Sequence, residues 1–395
     1  MFERLEALPA DAILRLIAEY NEDPRAEKID LGVGVYRNSE GETPVLAAVK
    51  EAERRLVETQ TTKTYIGSGG DPAFNRHIQA LLFGDAAAND PRVVTLQAPG
   101  GSGALRIAAG LMLRARPDVR IWVSDPTWGN HVPLLGGAGI RLETYPYYRA
   151  GEAAVRFDEM LAALERVPEG DVVLLHGCCH NPTGMDLSPE QWREVGDVIV
   201  ARRLVPFVDV AYQGFAEGLE EDAFAVRHLF GRVPEMLVAA SCSKNFGLYR
   251  ERVGSLSIVS AEAAHSAVVR SQAFNIVRTL YSMPPDHGAA VVACILGDGE
   301  LRARWLSELT EMRDRLRDMR VLFVDALRDS APRHDFSHVV RAKGMFSFLG
   351  LGAAEVARLK SEFGIYMVDS SRINVAGITH ANVGYLAESI AKVLP

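Results

Sequence analysis

From about residue 93, apolar runs of β character alternate with helix-period segments, and this alternation leaves few folds open. The runs are VVTLQ (Val93–Gln97), IWVS (Ile121–Ser124), VVLLH (Val172–His176), PFVDV (Pro206–Val210) and MLVAA (Met236–Ala240). Between them lie segments such as ALRIAAGLMLRA (Ala104–Ala115) and PEQWREVGDVIVARR (Pro189–Arg203). Unbroken apolar strands separated by helices predict a parallel sheet covered on both faces. Val253–Val259 follows MLVAA too closely for a helical crossover and is expected to be an antiparallel member of the same sheet. Past Gly299, Leu301, Trp305, Leu309, Met312, Leu316, Met319 and Leu322 recur at helical spacing along Glu300–Leu327. Beyond that the texture changes to short strands and helices, predicting a smaller α+β domain that includes the N-terminal forty-odd residues.

Composition narrows the function. With 395 residues the chain can bury a large core and form two domains. A net charge of −8, with no basic stripe, gives no footprint for nucleic acid. The first twenty residues carry acidic groups and lack a signal-peptide pattern, and runs such as Ala289–Leu296 are too short to cross a bilayer. Of the four cysteines, Cys178 and Cys179 are adjacent and Cys242 and Cys294 isolated, so no disulfide framework is expected and a reducing cytoplasm fits.

Several segments carry chemistry. In SCSKNFGLYRERVG (Ser241–Gly254), Lys244 stands directly after an apolar strand and Arg252 eight residues later. Desolvation lowers a lysine's pKa, which is what an amine needs to form a Schiff base. APGGSGALR (Ala98–Arg106) joins a strand to a helix, where free backbone N–H groups bind anions and Ser102 can cap the helix. It lacks the Gly-Lys-Ser/Thr ending of a nucleotide-phosphate loop. Trp128, in SDPTWGNH, follows a strand's carboxyl end and can stack on an aromatic ring. HGCCHNPTG (His176–Gly184) invites a zinc reading, but adjacent cysteines are no metal clamp and no second ligand pair follows, so no metal is expected. Its Asn181-Pro182-Thr183-Gly184 reads better as a turn presenting an amide. Asp209, inside the apolar VDVAYQGF, needs a cationic or donating partner, and Tyr212 adds a phenol. Arg278 and Arg372 sit among apolar and small residues and suit carboxylate recognition. One ligand with a phosphate, an aromatic ring, a pyridine nitrogen and an aldehyde satisfies this set. Pyridoxal phosphate has all four.

These motifs resemble the class I aminotransferases, specifically the aspartate and aromatic amino acid aminotransferase branch of the fold-type I pyridoxal phosphate enzymes. The resemblance runs from LGVGVYRN (Leu31–Asn38) to SSRINVAG (Ser370–Gly377). It implies an α/β fold with a mostly parallel seven-stranded sheet flanked by helices, in a large cofactor domain of residues 45–310. A small domain of residues 1–44 plus 311–395 would be joined to it by a long helix at about 300–327. It further implies Lys244 as Schiff-base lysine and proton shuttle, Asp209 at the pyridine nitrogen and His131 behind it. Asn181 and Tyr212 would bond the phenolic oxygen, with Trp128 on the ring. Gly101, Ser102, Ser241, Arg252 and a neighbouring subunit's Tyr65 would hold the phosphate. Arg372 would clamp the substrate α-carboxylate beside Gly34 and Phe346, and Arg278 of the neighbour would meet a distal carboxylate.

The activity implied is ping-pong transamination of tyrosine, phenylalanine and aspartate with 2-oxoglutarate, in a cytoplasmic homodimer with shared sites. A dedicated aspartate enzyme is the alternative. Val35, Arg37 and Thr43 match the aspartate pattern, whereas Ser102 and Met283 depart from it. Another reaction on the same cofactor, or a non-catalytic module, fits the paired arginines and the retained Lys244 less well.

Overall fold

In the computed structural model, which describes residues 1–8, 11–149 and 151–395, seven strands form the central sheet. They are β1 (Val93–Pro99), β2 (Arg120–Asp125), β3 (Arg141–Pro146), β4 (Val172–His176), β5 (Val205–Val210), β6 (Met236–Ser241) and β7 (Val253–Val259). Their order across the sheet is β1-β7-β6-β5-β4-β2-β3. All neighbours are parallel except β7, which runs antiparallel to both β1 and β6, as the short β6–β7 connection required.

The unbroken apolar runs are explained by two cores, one on each face. Val173, Leu175, Val208, Val210, Met236 and Val238 point to one, while Val172, Leu174, Phe207, Leu237 and Ala239 point to the other. Successive strand residues face opposite sides, so both parities must be apolar. The second face is covered by the helices Gly100–Ala115 and Ala263–Leu280, the first by helices including Pro72–Phe83 and Pro189–Ala201. The last of these begins with reciprocal bonds between Ser188 and Gln191, which satisfy two otherwise unpaired N–H groups.

Two sequence readings need correction. The long helix runs Gly299–Ser330, and its buried stripe passes through Phe323, leaving Leu322 half-buried. Seven residues from Leu316 to Phe323 make nearly two turns, which is why the stripe moves by one position. Helix Gly100–Ala115 starts four residues before its apolar periodicity, with Pro99 as its N-cap and no side-chain cap. Ser102 is therefore inside the first turn and does not cap it. The helix's leading N–H groups stay free for another acceptor.

Smaller pairings complete the chain. Ile29–Asp30 lies parallel to Ile365–Tyr366, and Phe346–Phe348 antiparallel to Arg372–Asn374. Arg320 of the long helix is 2% exposed, and its partners among the described residues are all neutral. It donates to the carbonyls of Val339, Gly344 and Phe346 at 2.8, 2.8 and 2.9 Å and to Ser347 Oγ at 2.6 Å. Burial pushes its pKa down to about 10, yet its planar fork satisfies four acceptors that water does not reach. Arg320→Leu leaves these acceptors unpaired at about 1 kcal/mol or more each. A fall of at least about 3 kcal/mol in unfolding free energy is expected, read as a lower urea midpoint at unchanged slope.

Candidate active site

Five parallel strands deliver their carboxyl ends to one edge of the sheet. Beyond β1 stand Gly101 and Ser102, beyond β2 Trp128, beyond β4 Cys178 and Asn181, at the end of β5 Asp209 and Tyr212, and beyond β6 Ser243 and Lys244. Ligand crevices of open α/β sheets lie at such an edge. β7 runs the other way, so its beginning reaches the same edge and brings Arg252 with it. Gly254 pairs with both Ser241 and Ala98, which fixes these three strand ends in register. All these side chains line a cavity of about 310 Å³.

Asp209 is buried and accepts from His131 Nε2 at 3.0 Å. A carboxylate only accepts, so that imidazole nitrogen carries the proton. Thr127 Oγ1 lies 2.8 Å from His131 Nδ1 and 3.2 Å from His176 Nε2. The Thr127 hydroxyl can donate to His131 Nδ1 while accepting from His176. Burial drives His176 well below its ordinary pKa, so it stays uncharged. Burial alone would raise Asp209, but the His131 bond and the attraction of the Lys244 amine win, and its pKa falls below the usual carboxylate value.

Lys244 is half-buried, with its amine over the face of Tyr212, 4.6 Å from the ring centre. Burial lowers its pKa to about 8, against the pull of Asp209 and helped by the charge of Arg252. Burial raises the Tyr212 phenol, which keeps its proton. Arg252 donates to the Tyr249 carbonyl at 3.1 Å and reaches Ser243 Oγ at 3.5 Å. Gly100, at φ +70°, lets that guanidinium lie against the start of the helix; a Cβ there would collide with it.

The opposite wall comes from the chain's two ends. Arg372 lies over the Phe346 ring, 4.3 Å from its centre, and donates to the Gly32 carbonyl at 2.7 Å. Gly34 admits the edge of Phe346, which a Cβ would approach to 3.1 Å. Asn181 Oδ1 and Arg372 Nε are buried with no partner among the described residues. Orphaned polar atoms on a cavity wall are costly unless a ligand meets them.

Tyr65 is 88% exposed and Arg278 also faces outward, so this chain alone brings neither to the cavity. Tyr249, Ser243, Ala211, Ile13 and Leu105 line it without being site candidates in the sequence, and His176 and Cys178 line it although the sequence raised them only as metal ligands. Ser243 and Tyr249 stood inside the lysine segment. Ile13 and Leu105 look like ordinary helix residues and carried no signal. Cys178, Cys179 and Asp222 come close enough to suggest a metal. However, Asp222 already accepts four backbone N–H bonds, from Gly214, Ala216, Glu217 and Gly218.

A family model described as aminotransferase class I and II matches residues 26–390. The chain belongs to that family. It is 48% identical to an aromatic-amino-acid aminotransferase of Pseudomonas aeruginosa over 394 residues, covering 99% of this chain and 98% of that one. It is equally 48% identical to an aspartate aminotransferase of Escherichia coli over 396 residues, all of both chains. A crystal structure of an aromatic-amino-acid aminotransferase from Burkholderia pseudomallei, covalently bound to pyridoxal phosphate, superposes with a TM-score of 0.97 at 46% identity over all of both chains. The expected mostly parallel fold-type I sheet is thus the fold of this aminotransferase.

An amine with a pKa near 8 titrates where it can be followed. In cofactor-free protein, labelling of Lys244 by a small acylating reagent should rise with pH through about 8 and level off above it, because only the neutral amine reacts. Asp209→Asn removes the anion that favours the ammonium form, so the rise should move to lower pH. Peptide mass spectrometry reads both, and a midpoint near the ordinary lysine value of about 10.4 contradicts the assignment.

Proposed function

We propose that this aminotransferase exchanges amino groups between aromatic L-amino acids or aspartate and 2-oxoglutarate, with pyridoxal phosphate as cofactor. One observation carries the reading: the Lys244 amine and the Asp209 carboxylate face one cavity between an anion cradle and the Arg372 fork. The donor set fits the cofactor. The free N–H groups around Gly101, with Ser102, Ser241 and Arg252, suit a phosphate. Asp209 suits a protonated ring nitrogen, Trp128 a ring face, and Asn181 and Tyr212 a phenolic oxygen. When bound, the cofactor supplies an aldehyde for the amino group and a protonated ring that accepts the electrons left by the Cα proton.

The residues do the rest. Asp209, held charged by His131, keeps the proton on the ring nitrogen. Lys244 Nζ, uncharged in half the molecules at about pH 8 and in most above it, takes the Cα proton and delivers it to the atom on the far side of the amino nitrogen. Arg372 grips the α-carboxylate beside Gly34 and Phe346, which orients the Cα–H bond. One 2-oxo acid leaves before the next enters, giving ping-pong kinetics.

Ser102 and Met283 support aromatic side chains, and the aromatic names among relatives agree. Val35, Arg37 and Thr43, together with equally similar relatives named aspartate aminotransferases, favour the aspartate arm and keep a dedicated aspartate enzyme as the second reading. The exposure of Tyr65 and Arg278 supports a homodimer in which each chain completes its neighbour's site. We divide the chain into residues 45–310 and 1–44 plus 311–395, bridged by the long helix. Among the described residues no helix is long and apolar enough to cross a membrane, and the four free cysteines support a cytoplasmic setting.

Borohydride reduction should fix the cofactor to the peptide containing Lys244, and Lys244→Ala should lose transamination while still binding the cofactor. Labelling of another lysine overturns the assignment. Substrate choice is tested by kcat/KM for aspartate, tyrosine, phenylalanine and tryptophan against 2-oxoglutarate. Arg278→Ala should lower the aspartate value on the order of a hundredfold or more, because the distal carboxylate loses its partner, and leave phenylalanine nearly unchanged. Equal losses would assign Arg278 a structural role. Mixing Arg278→Ala with Lys244→Ala subunits should recover activity if sites are shared.

A further inference from the structure

Residues Leu31–Tyr36 form a strap along the cavity, with Gly34 at its lining face. Nearly all of its polar anchors come from the chain's ends. Asp30 Oδ1 accepts from Gly32 N at 2.9 Å, Arg372 donates to the Gly32 carbonyl, and Asn374 Nδ2 donates to the carbonyls of Val33 and Val35 at 2.6 and 2.7 Å. Thr43 Oγ1 donates to the Tyr36 carbonyl at 2.9 Å. The exception is the Tyr36 N–H, which donates to the Tyr249 phenol at 2.8 Å. Among the described residues, Tyr249 is the one residue of 45–310 that hydrogen-bonds this strap.

Tyr249 lies on the β6–β7 loop, between Lys244 and Arg252, and its own carbonyl accepts from the Arg252 guanidinium at 3.1 Å. A continuous line of bonds thus runs from Arg252, through the backbone and ring of Tyr249, to Tyr36 and the strap that holds Arg372. We propose that Tyr249 is a positioning residue that couples the two halves of the cavity. An anion gripped by Arg252 fixes the loop, the phenol fixes the strap, and the strap sets Gly34 and Arg372 to receive the substrate carboxylate. The proposal rests on the reading of Arg252 as anion-binding and Arg372 as carboxylate-binding. Coupling of this kind is reciprocal, so a carboxylate held by Arg372 also tightens the hold on the anion.

The test is amide hydrogen exchange of a peptide spanning residues 31–38, in the full-length parent and in Tyr249→Phe, each with and without pyridoxal phosphate. Loading the cofactor should slow exchange in the parent several-fold, and inorganic phosphate on cofactor-free parent should do so in part. In Tyr249→Phe, exchange should be faster and indifferent to loading. Because one buried N–H loses its partner, KM for aspartate and for phenylalanine should rise together by about tenfold, with kcat near that of the parent. Unchanged exchange and KM in Tyr249→Phe overturn the proposal. Should that variant fail to fold, a parent strap unaffected by both cofactor and phosphate overturns it as well. A parent that binds no cofactor and transaminates nothing defeats the proposed reaction instead, while faster strap exchange in the cofactor-free variant still separates the Tyr249 bond from that failure.

Discussion

Everything in this molecule hangs on a sheet that is buried on both faces. With apolar side chains above and below, the strands themselves offer no polar surface, so chemistry collects where they end. Asp209 illustrates the constraint. It falls on the Phe207 side of β5, under the helix that begins at Gly100, and would be untenable there without His131. The imidazole is itself oriented by Thr127, and Thr127 touches His176 at the end of the adjacent strand. A carboxylate at the edge of an apolar layer is kept charged by polar residues recruited from neighbouring strands.

Charge balance in the cavity follows from the same geometry. Lys244, Arg252 and Arg372 face it, with Asp209 as the opposing carboxylate. Such a site favours ligands that bring negative charge at two separated points. An excess of positive charge also lowers the cost of a neutral lysine, because Arg252 and burial act in the same direction on its amine.

Much of the architecture was legible from pattern alone. Six of the seven strands announced themselves, five as continuous apolar runs and β7 through its short connection. The seventh, β3, did not, since RLETYP buries only Tyr145 fully at the sheet's edge and so carries no apolar signature. Ser102 misled because a serine near a helix start resembles a cap, whereas the backbone turned earlier, at Gly100. The site was legible differently. Lys244 and Asp209 stood out as costly residues in apolar settings, but the roles of Gly34, Phe346 and Tyr65 came only through the family resemblance. Tyr249 went unnoticed because its importance lies in a partner 213 residues away, a pairing that no local pattern encodes.

The reversed direction of β7 has a consequence for how the protein comes apart. β1 forms the sheet's edge, and β7 is the one strand it pairs with among the described residues. Gly101 from beyond β1, Arg252 from the start of β7 and Ser241 from the end of β6 line one cavity, so an anion bound there as proposed would span all three strands. Whatever occupies it acts as a staple across the sheet's margin, and separating that margin must also expel the ligand. By mass action, occupancy then stabilises this edge according to how far ligand concentration exceeds its dissociation constant. With the proposed cofactor in the cradle, its retention and the integrity of the sheet margin become one equilibrium.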